Sequence, residues 1–227
     1  MPRGAVALAI VSLSSTAALA RGEDREVPEF SAVSVAAGIR ASVEVGPRNP
    51  VHIEADDEVL PLVEAHVEDG ALHVGFKPNT RLSGEHRVSV TIQTPQLRAV
   101  DASGGARVRA MFTRADESAV HAGGGSEVRI RSVDAARLLV QGSGGSELEI
   151  QGRADRLDLD MSGGTRLHGR DLTVKDVDVH ASGGSEGDLR ASGRIRGSLS
   201  GGSEMHVRGG ARARVATSGG SSVEVED

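Results

Sequence analysis

The chain has 227 residues, of which 38% are hydrophobic and 26% are charged, and its formal net charge is −6. It contains three Phe and no Tyr, Trp or Cys, which excludes disulfides, thiolate metal sites and thiol nucleophiles. The acidic balance disfavours binding to a nucleic acid duplex or an anionic membrane surface, and the shortage of aromatic rings disfavours stacking of sugars or single-stranded bases.

The first twenty residues have the three parts of a secretory signal peptide. Arg3 provides a basic start, residues 5–13 form a short apolar run, and Ala18-Leu19-Ala20 matches an A-x-A cleavage site. The apolar run is shorter than the roughly 20 residues that a membrane-spanning helix needs. We therefore predict cleavage after Ala20, a flexible mature N-terminus over residues 21–28, no transmembrane anchor, and export to the periplasm, the outer surface or the medium.

Residues 29–100 contain five short segments in which apolar and polar side chains alternate, a pattern that predicts β-strands. Asp69-Gly70 is typical of a hairpin turn, and residues 57–67 favour a short helical turn that Pro61 limits. Because no linker-like stretch follows, we expect this part to form irregular first coils that cap the repeat after it. The five predicted strands are 32–35, 41–45, 51–55, 71–76 and 88–92.

A short glycine corner returns seven times through residues 101–227, in steps of 18 to 20 residues. Apolar residues alternate with period two on both sides of the corners, which indicates strands and not helices. A repeat this short cannot bury its inner face alone, so consecutive repeats must stack about 4.8 Å apart. We expect the corner glycines to adopt backbone angles that only glycine adopts cheaply; they are Gly104, Gly105, Gly124, Gly125, Gly144, Gly145, Gly163, Gly164, Gly183, Gly184, Gly201, Gly202, Gly219 and Gly220.

The sequence thus predicts an all-β fold, a single-stranded parallel β-helix or β-solenoid. It should have about seven glycine-cornered coils and an irregular N-terminal β cap. Each coil should run strand, turn, strand and glycine corner, and the Ser or Thr after the glycines should satisfy corner amides. We expect a right-handed coil, by analogy with the crossover rule for parallel strands.

Several segments before the glycine corners carry a family resemblance. They are Phe30-Ser31-Ala32-Val33-Ser34-Val35, Val43-Glu44-Val45, and the stretches 57–63, 67–74 and 90–100. Together with the corners they resemble the bacterial auto-transporter adhesin head GIN domain family over nearly all of the mature chain, although that family more often has Gly-Ser-Gly corners. The resemblance implies an exported β-helical domain over residues 29–227 with an adhesin-like role, and it carries no catalytic motif to transfer.

The glycine corners do not match ligand-binding glycine motifs. None is followed by the Lys-Ser/Thr and helix of a phosphate loop, and none has the second Gly and the Asp of the calcium-binding nonapeptide. The corner serines repeat as a turn element, which argues against a serine nucleophile. The eight His are scattered singly, without the clustering of metal ligands. We therefore predict no catalytic residues and no cofactor.

One outward column of the stacked coils carries charges two residues after each second corner glycine. Strict stacking would bring Glu127 beside Glu147, and Glu186 beside Glu204, within about 5 Å. These four glutamates form a candidate stripe for a divalent cation or a basic ligand, unless the side chains splay into water and are compensated by an intervening arginine. The whole column is Arg107, Glu127, Glu147, Arg166, Glu186, Glu204 and Ser222.

These features favour a non-catalytic exported envelope or surface protein, an adhesin-like binding or scaffolding module. A β-helical polysaccharide lyase or hydrolase is the alternative, because residues from neighbouring coils can converge into a site that sequence does not reveal. The expected partner is an envelope or surface protein or a glycan, and not a nucleic acid. The last coil should leave an open parallel edge, through which a second copy of the chain could form a homo-oligomer.

Overall fold

The computed structural model describes residues 20–82 and 86–226. Over this part the chain forms one sheet of eighteen strands and one short 3-10 helix, wound into a parallel β-solenoid of about six turns. The all-β parallel solenoid predicted from the glycine repeat is confirmed. Most of the predicted signal peptide, residues 1–19, lies outside the described residues.

The N-terminal part contains all five strands that the alternating segments predict, together with three more, β1, β5 and β8. Its elements are β1 (Ala20–Arg25), β2 (Ala32–Val35), β3 (Arg40–Val45), β4 (Val51–Asp56), the 3-10 helix (Leu60–Leu62), β5 (Val63–Glu68), β6 (Ala71–Phe76), β7 (Ser89–Thr94) and β8 (Ala99–Ala102). The cornered coils follow as β9 (Arg107–Met111), β10 (Ala115–Ala122), β11 (Glu127–Gly142), β12 (Glu147–Met161), β13 (Arg166–Ala181), β14 (Glu186–Ala191), β15 (Arg194–Leu199), β16 (Glu204–Arg208), β17 (Arg212–Thr217) and β18 (Ser222–Glu226).

A central coil such as β11 has three short sides. Buried and outward side chains alternate along it until two successive exposed residues, Arg131 and Ser132, and alternate again until a second exposed pair, Ala136 and Arg137. Because successive side chains of a regular strand point to opposite faces, each exposed pair marks a bend. The expected turn between two strands is therefore replaced by two bends inside one nearly continuous strand.

The coils stack in register along two parallel sheets, one on each side of the corners. The sheet before the corners, here called the pre-corner sheet, contains β6, β2, β8, β10, the second halves of β11, β12 and β13, then β15 and β17. The post-corner sheet contains β7, β3, β9, the first halves of β11, β12 and β13, then β14, β16 and β18. Residues in register form columns, so Leu138, Leu157 and Val177 are buried one above another.

The glycine corners are tight turns that lie directly on one another. The first glycine of each pair has φ between 59° and 75°, and a methyl group on it would lie 2.9–3.2 Å from the amide nitrogen of the residue one coil below. No atom lies within 4 Å of a methyl group built on the second glycine. The second glycines are also left-handed, except Gly164. Residue 164 therefore requires glycine neither for its backbone angle nor for space.

An eighth corner, Ala37-Gly38, continues the corner column into the N-terminal part. Ala37 has φ 59°, and its amide nitrogen is the atom that a methyl group on Gly104 would meet. Alanine is thus accommodated in the left-handed conformation at this corner. We infer that the close approach of the next coil is the stronger reason for glycine at the first corner position.

The hydroxyl groups that follow the corners mainly donate to carbonyl oxygens. Thr165, Ser185 and Ser203 are buried, and each donates to the carbonyl oxygen at the start of its own turn, at 2.8–2.9 Å. Ser221 makes the same bond and also accepts the amides of Gly202 and Ser203 from the coil below, at 3.1 and 3.0 Å. Within the described corners, the expectation that these hydroxyls satisfy corner amides holds at Ser221.

Antiparallel strands cap the first coils. β4 pairs with β7, β1 with β4, and β5 with β6, while β2 and β3 stack in parallel between the β6–β7 layer and the β8–β9 layer. The flexible N-terminus expected over residues 21–28 is wrong for residues 21–25. They form β1, and Arg25 donates to the carbonyl oxygens of Val63 and Leu60 at 2.6 and 3.3 Å.

The turns of the cap follow the sequence signals in part. Asp69 and Gly70 form the predicted hairpin turn between β5 and β6, with φ of 50° and 75°. The helical turn expected within residues 57–67 is confined to Leu60–Leu62, and the chain then extends as β5. Proline in the first turn of the 3-10 helix leaves no amide unsatisfied, whereas the alternation of Val63, Ala65 and Val67 suits a strand.

At the other end of the solenoid, β17 and β18 are paired along one edge only among the described residues. Their side chains are mostly exposed, in contrast to the buried columns of the central coils. The pairing of this edge with a second copy of the chain stays a prediction. No helix in the described ranges is long and apolar enough to cross a membrane.

Alanine substitutions at the two glycines of one corner distinguish the left-handed backbone conformation from the close contact with the coil below as reasons for glycine. We expect Gly145→Ala to lower the free energy of unfolding by about 1–2 kcal/mol, the strain of a left-handed alanine. Gly144→Ala carries the same strain and also forces a methyl group to within 3.2 Å of the Gly124 amide nitrogen, so its loss should be clearly larger. Thermal unfolding of both variants measures the difference, and equal losses would show that coil stacking does not constrain the corner.

Substitution of Ser118 tests the burial of the core columns. Its hydroxyl is buried without a hydrogen-bond partner among the described residues, in register with Leu138. Because an unsatisfied buried hydroxyl costs about 1–3 kcal/mol, Ser118→Ala should leave the stability unchanged or raise it. The matched control is Ser185→Ala, which loses a 2.9 Å bond to the Ser182 carbonyl and should lower the unfolding free energy by about 1 kcal/mol. Destabilisation by Ser118→Ala, read from the melting temperature, would contradict this assignment.

Candidate functional site

The predicted carboxylate stripe, Glu127, Glu147, Glu186 and Glu204, lies on one outward column of the post-corner sheet. Glu127 is in register with Glu147, and Glu186 with Glu204. Arg166 lies between Glu147 and Glu186. The structure therefore brings the four glutamates together as two separate pairs and not as one continuous acidic surface.

Basic side chains contact three of the four glutamates of the stripe. In the described part of the chain, no three His, Asp or Glu side chains are arranged to hold a metal ion. Exposed ion pairs of this kind contribute about 0–1 kcal/mol each, so the stripe is best described as a surface ladder of ion pairs, and cation binding there stays a prediction. The contacts are Arg129–Glu127 (2.6 Å), Arg107–Glu127 (3.5 Å), His168–Glu147 (3.5 Å) and Arg166–Glu186 (3.4 Å).

Two of the histidines that are scattered in the sequence meet in the cap. The rings of His66 and His73 stack with centroids 5.4 Å apart, because β5 and β6 pair these residues across the hairpin. A second histidine contact joins β1 to β4: His52 Nδ1 lies 2.6 Å from Asp24, and this hydrogen bond raises the pKa of His52. The expectation of single, isolated histidines is wrong at the His66–His73 pair.

A trough runs along the pre-corner sheet beside the corners, with a volume of about 670 Å³. One wall is an outward column, three residues before the first glycine of each corner, and the opposite wall is the residue just before that glycine. We call this feature the polar trough. Its first wall is Asp101, His121, Gln141, Asp160, His180 and Ser198; its second is Ser103, Gly123, Ser143, Ser162, Ser182 and Ser200.

Several polar groups of the trough are unpaired. Within the described residues, the side chains of His121, Gln141 and Asp160 form no hydrogen bond or ion pair with the protein. At the far end, His180 Nδ1 lies 3.2 Å from Ser198 Oγ. The wall spans six coils, which corresponds to a length of about 24 Å at the usual strand spacing. The middle of the trough therefore presents free donors and acceptors at regular intervals.

The arrangement of the trough suits binding along its length more than chemistry at one point. Asp101 and Asp160 are the carboxylates among its described lining residues, and they stand three coils apart, about 14 Å at the usual strand spacing. Glycosidases place their two carboxyl groups roughly 5–9.5 Å apart. The trough thus lacks a paired acid and base of that kind between its own walls.

A positional signal for the trough exists in the sequence. When the corners are aligned on their first glycine, the third position before it is Asp, His, Gln, Asp, His and Ser in six successive copies. A search for local motifs does not detect this set, because its members are 18 to 20 residues apart. Because the coils stack, residues 18 to 20 positions apart in the sequence lie next to each other on neighbouring coils, one strand spacing apart.

Several solved structures are similar to this chain in fold. A putative adhesin from Bacteroides fragilis is 18% identical with a TM-score of 0.82, covering 92% of this chain and 97% of that one. A putative lipid binding protein from Parabacteroides distasonis is 12% identical with a TM-score of 0.71 (91% and 96% covered). A putative adhesin from Parabacteroides merdae is 17% identical with a TM-score of 0.65 (91% and 95% covered). Among curated proteins, no match to the sequence is found.

The family resemblance seen in the N-terminal segments and the corners is confirmed. Residues 29–211 match the family described as "Putative auto-transporter adhesin, head GIN domain". This range holds the whole cap from Phe30 onward and six of the seven predicted corners. The chain therefore belongs to the auto-transporter adhesin head GIN domain family.

Proposed function

We propose that the chain is a non-catalytic binding module of the bacterial envelope or surface, which holds a linear glycan along the polar trough. The observation that carries this proposal is the series of unpaired side chains His121, Gln141 and Asp160, one coil apart on the trough wall. Imidazole, carboxamide and carboxylate groups are hydrogen-bonding partners for the hydroxyl groups of a sugar. A polymer lying along the trough would meet such a group at each successive coil.

The repeated polar groups of the trough wall favour binding of a linear ligand. Each hydrogen bond to a ligand contributes only about 0.5–1.5 kcal/mol net, so a single sugar unit would bind weakly in an open trough without aromatic rings. Contacts at several coils made by one chain add within a single binding event. The length of the trough, about 24 Å from six coils at the usual strand spacing, therefore favours an extended polymer.

A glycan fits this surface better than an extended peptide does. Peptides that bind to sheets commonly add as a strand through unpaired backbone groups at an edge. In the trough, the strands β10, β11, β12 and β13 are hydrogen-bonded on both sides, so only side chains are available. Side-chain hydroxyl, amide and imidazole groups select a ligand rich in hydroxyls.

Binding without catalysis agrees with the chemistry of the described surface. The two trough carboxylates stand too far apart for a glycosidase pair. The family and two of the similar structures are named as adhesins, which supports a binding role. The signal-like residues 1–20 support export, and the envelope or surface is where such a module would meet glycans.

Trough variants test the glycan-binding proposal. We expect the mature chain to bind linear bacterial polysaccharides on a glycan array, and Gln141→Ala combined with Asp160→Ala to weaken that binding about tenfold or more, the effect of losing two hydrogen bonds. The control is Gln96→Ala with Asp171→Ala, which removes the same exposed side-chain types outside the trough. Equal affinities of the two double variants would contradict the trough as the site. Release of new reducing ends from a bound polysaccharide would contradict the absence of catalysis.

Export is tested by the N-terminus of the secreted protein. Cleavage after Ala20 leaves Arg21 first and preserves the pairing of β1 with β4 from Arg21 to Arg25. We therefore expect intact mass and N-terminal sequencing of exported material to begin at Arg21. Ala18→Arg, which spoils the small residue of the A-x-A site, should prevent processing. Exported wild-type protein that retains Met1 would show the prediction to be wrong.

A further inference from the structure

Four arginines form a square on the outer face of the pre-corner sheet, at the end of the solenoid opposite the cap. Arg194 is in register with Arg212, and Arg196 with Arg214. All four side chains are exposed. We call this group the arginine quartet.

Only one member of the quartet is neutralised by the protein. Arg194 is hydrogen-bonded to Asp176 at 3.2 Å, a contact that raises the pKa of Arg194 and lowers that of Asp176. Across the described residues, the guanidinium groups of Arg196, Arg212 and Arg214 make no ion pair or hydrogen bond. Asp178 is in register with Arg196 one coil below but forms its ion pair with Arg156. Three positive charges thus lie side by side on neighbouring strands without an ion pair.

In the coils below, the charged side chains of the same two columns form ion pairs with each other. There, Arg156 binds Asp158 at 2.9 Å and Asp178 at 3.2 Å. Burial by itself would raise the pKa of Asp158, but hydrogen bonds from Arg156 and Arg137 outweigh burial and lower it. Like charges also stack in these central coils, Arg137 on Arg156 and Asp158 on Asp178. Ion pairs between the two neighbouring columns compensate them, and the quartet departs from this pattern because three of its members make no such ion pair.

Like charges directly opposite each other on paired strands are destabilising. A stack of uncompensated arginines is retained at this cost in a chain whose net charge is −6, which points to an anionic ligand. The planar guanidinium fork matches carboxylate, sulfate and phosphate groups in a bidentate geometry. A flat pair of such forks, one strand spacing apart, can bind successive anionic groups of a polymer.

The quartet is continuous with the polar trough. Arg196 is two residues from Ser198, so the two side chains stand on adjacent outward positions of β15. Ser198 and Ser200 form the end of the trough on that side. A chain lying along the trough would therefore pass beside Arg196 and Arg214 as it leaves the last coils.

We infer that the ligand of the trough is an acidic linear glycan, whose anionic groups bind Arg196, Arg212 and Arg214. This inference rests on the proposed glycan-binding function and names the chemical class of its ligand. The trough supplies hydrogen bonds to hydroxyl groups, and the quartet supplies the preference for carboxylate or sulfate groups on the same polymer. The negative net charge of the chain does not reveal this preference for anionic groups, because the basic surface is confined to the arginine quartet.

The sequence carries a signal for the quartet in the repeated tripeptides Arg194-Ile195-Arg196 and Arg212-Ala213-Arg214, 18 residues apart. That distance equals the step between the last corners. Neither tripeptide is a basic block of the kind that marks an anion-binding segment in a linear search. Their alignment on the solenoid creates the patch.

The decisive comparison uses matched acidic and neutral polymers. Polygalacturonate and its methyl ester test the carboxylate, and dextran sulfate and dextran test the sulfate. We expect the mature chain to bind at least one acidic polymer about tenfold or more tightly than its neutral counterpart, as charge-assisted hydrogen bonds require. This advantage should shrink at high salt, because exposed charges are screened. Which acidic polymer binds identifies the anionic group.

Arg196→Gln combined with Arg214→Gln should abolish the advantage of the acidic polymer and leave binding of the neutral polymer unchanged. The control, Arg48→Gln with Arg87→Gln, makes the same change in net charge at exposed positions outside the quartet and should keep the advantage. Because the quartet variant removes like-charge repulsion, its melting temperature should equal or exceed that of the wild type. A lower melting temperature would contradict uncompensated repulsion in the quartet.

The possible failures are distinguishable. Equal binding of acidic and neutral polymers, with trough variants still weakening both, would overturn the quartet inference and leave the proposed function standing. Binding that depends on the quartet but not on Gln141 and Asp160 would overturn the proposed function, and with it the acidic glycan in the trough. Single-stranded DNA that binds as tightly as the acidic polymers, with the same dependence on Arg196 and Arg214, would overturn a glycan as the ligand.

Discussion

The close contact of each glycine corner with the corner below is the constraint on which the rest of the structure depends. A methyl group on a first corner glycine would lie 2.9–3.2 Å from the amide nitrogen of the coil below, which is closer than an ordinary contact. That contact holds the coils at strand spacing and sets their register, so a fixed position in the repeat becomes a column along the solenoid. The core follows from the same rule, because columns of Val, Leu and Ile fill thin layers without aromatic rings.

The stacking of coils in register has an electrostatic cost on the outer surface, because like charges at one repeat position lie next to each other on neighbouring coils. The post-corner sheet offsets this cost with cations such as Arg129 and His168 among its glutamates. The pre-corner sheet does the same with Arg156 between Asp158 and Asp178. Compensation is the pattern in these central coils, and Arg196, Arg212 and Arg214 of the last described coils lack it. This difference is the basis of the anionic ligand that we propose.

The fold could be predicted from the sequence as far as the repeat reaches. Corner glycines and alternating residues specify the coils, since each carries a local conformational demand. β1 has no apolar alternation to reveal it, because its pairing with β4 depends on the cap. The Ala37-Gly38 corner has alanine in place of the first glycine. The carboxylate stripe was predictable as a column, but its compensation by Arg129 required the neighbouring column as well. The polar trough and the quartet need every outward column to be aligned at once.

The outer face of the pre-corner sheet is polar beside the central coils and basic beside the last ones, which gives a linear ligand a direction. Hydrogen bonds to repeated groups such as Gln141 and Asp160 are similar at every register, so by themselves they would let a polymer slide by one coil. A cluster of charges at one end reduces that degeneracy, because the registers that place an anionic group beside Arg196 and Arg214 are favoured over those that do not. A repeated wall thus provides affinity through length, and one irregular end provides specificity.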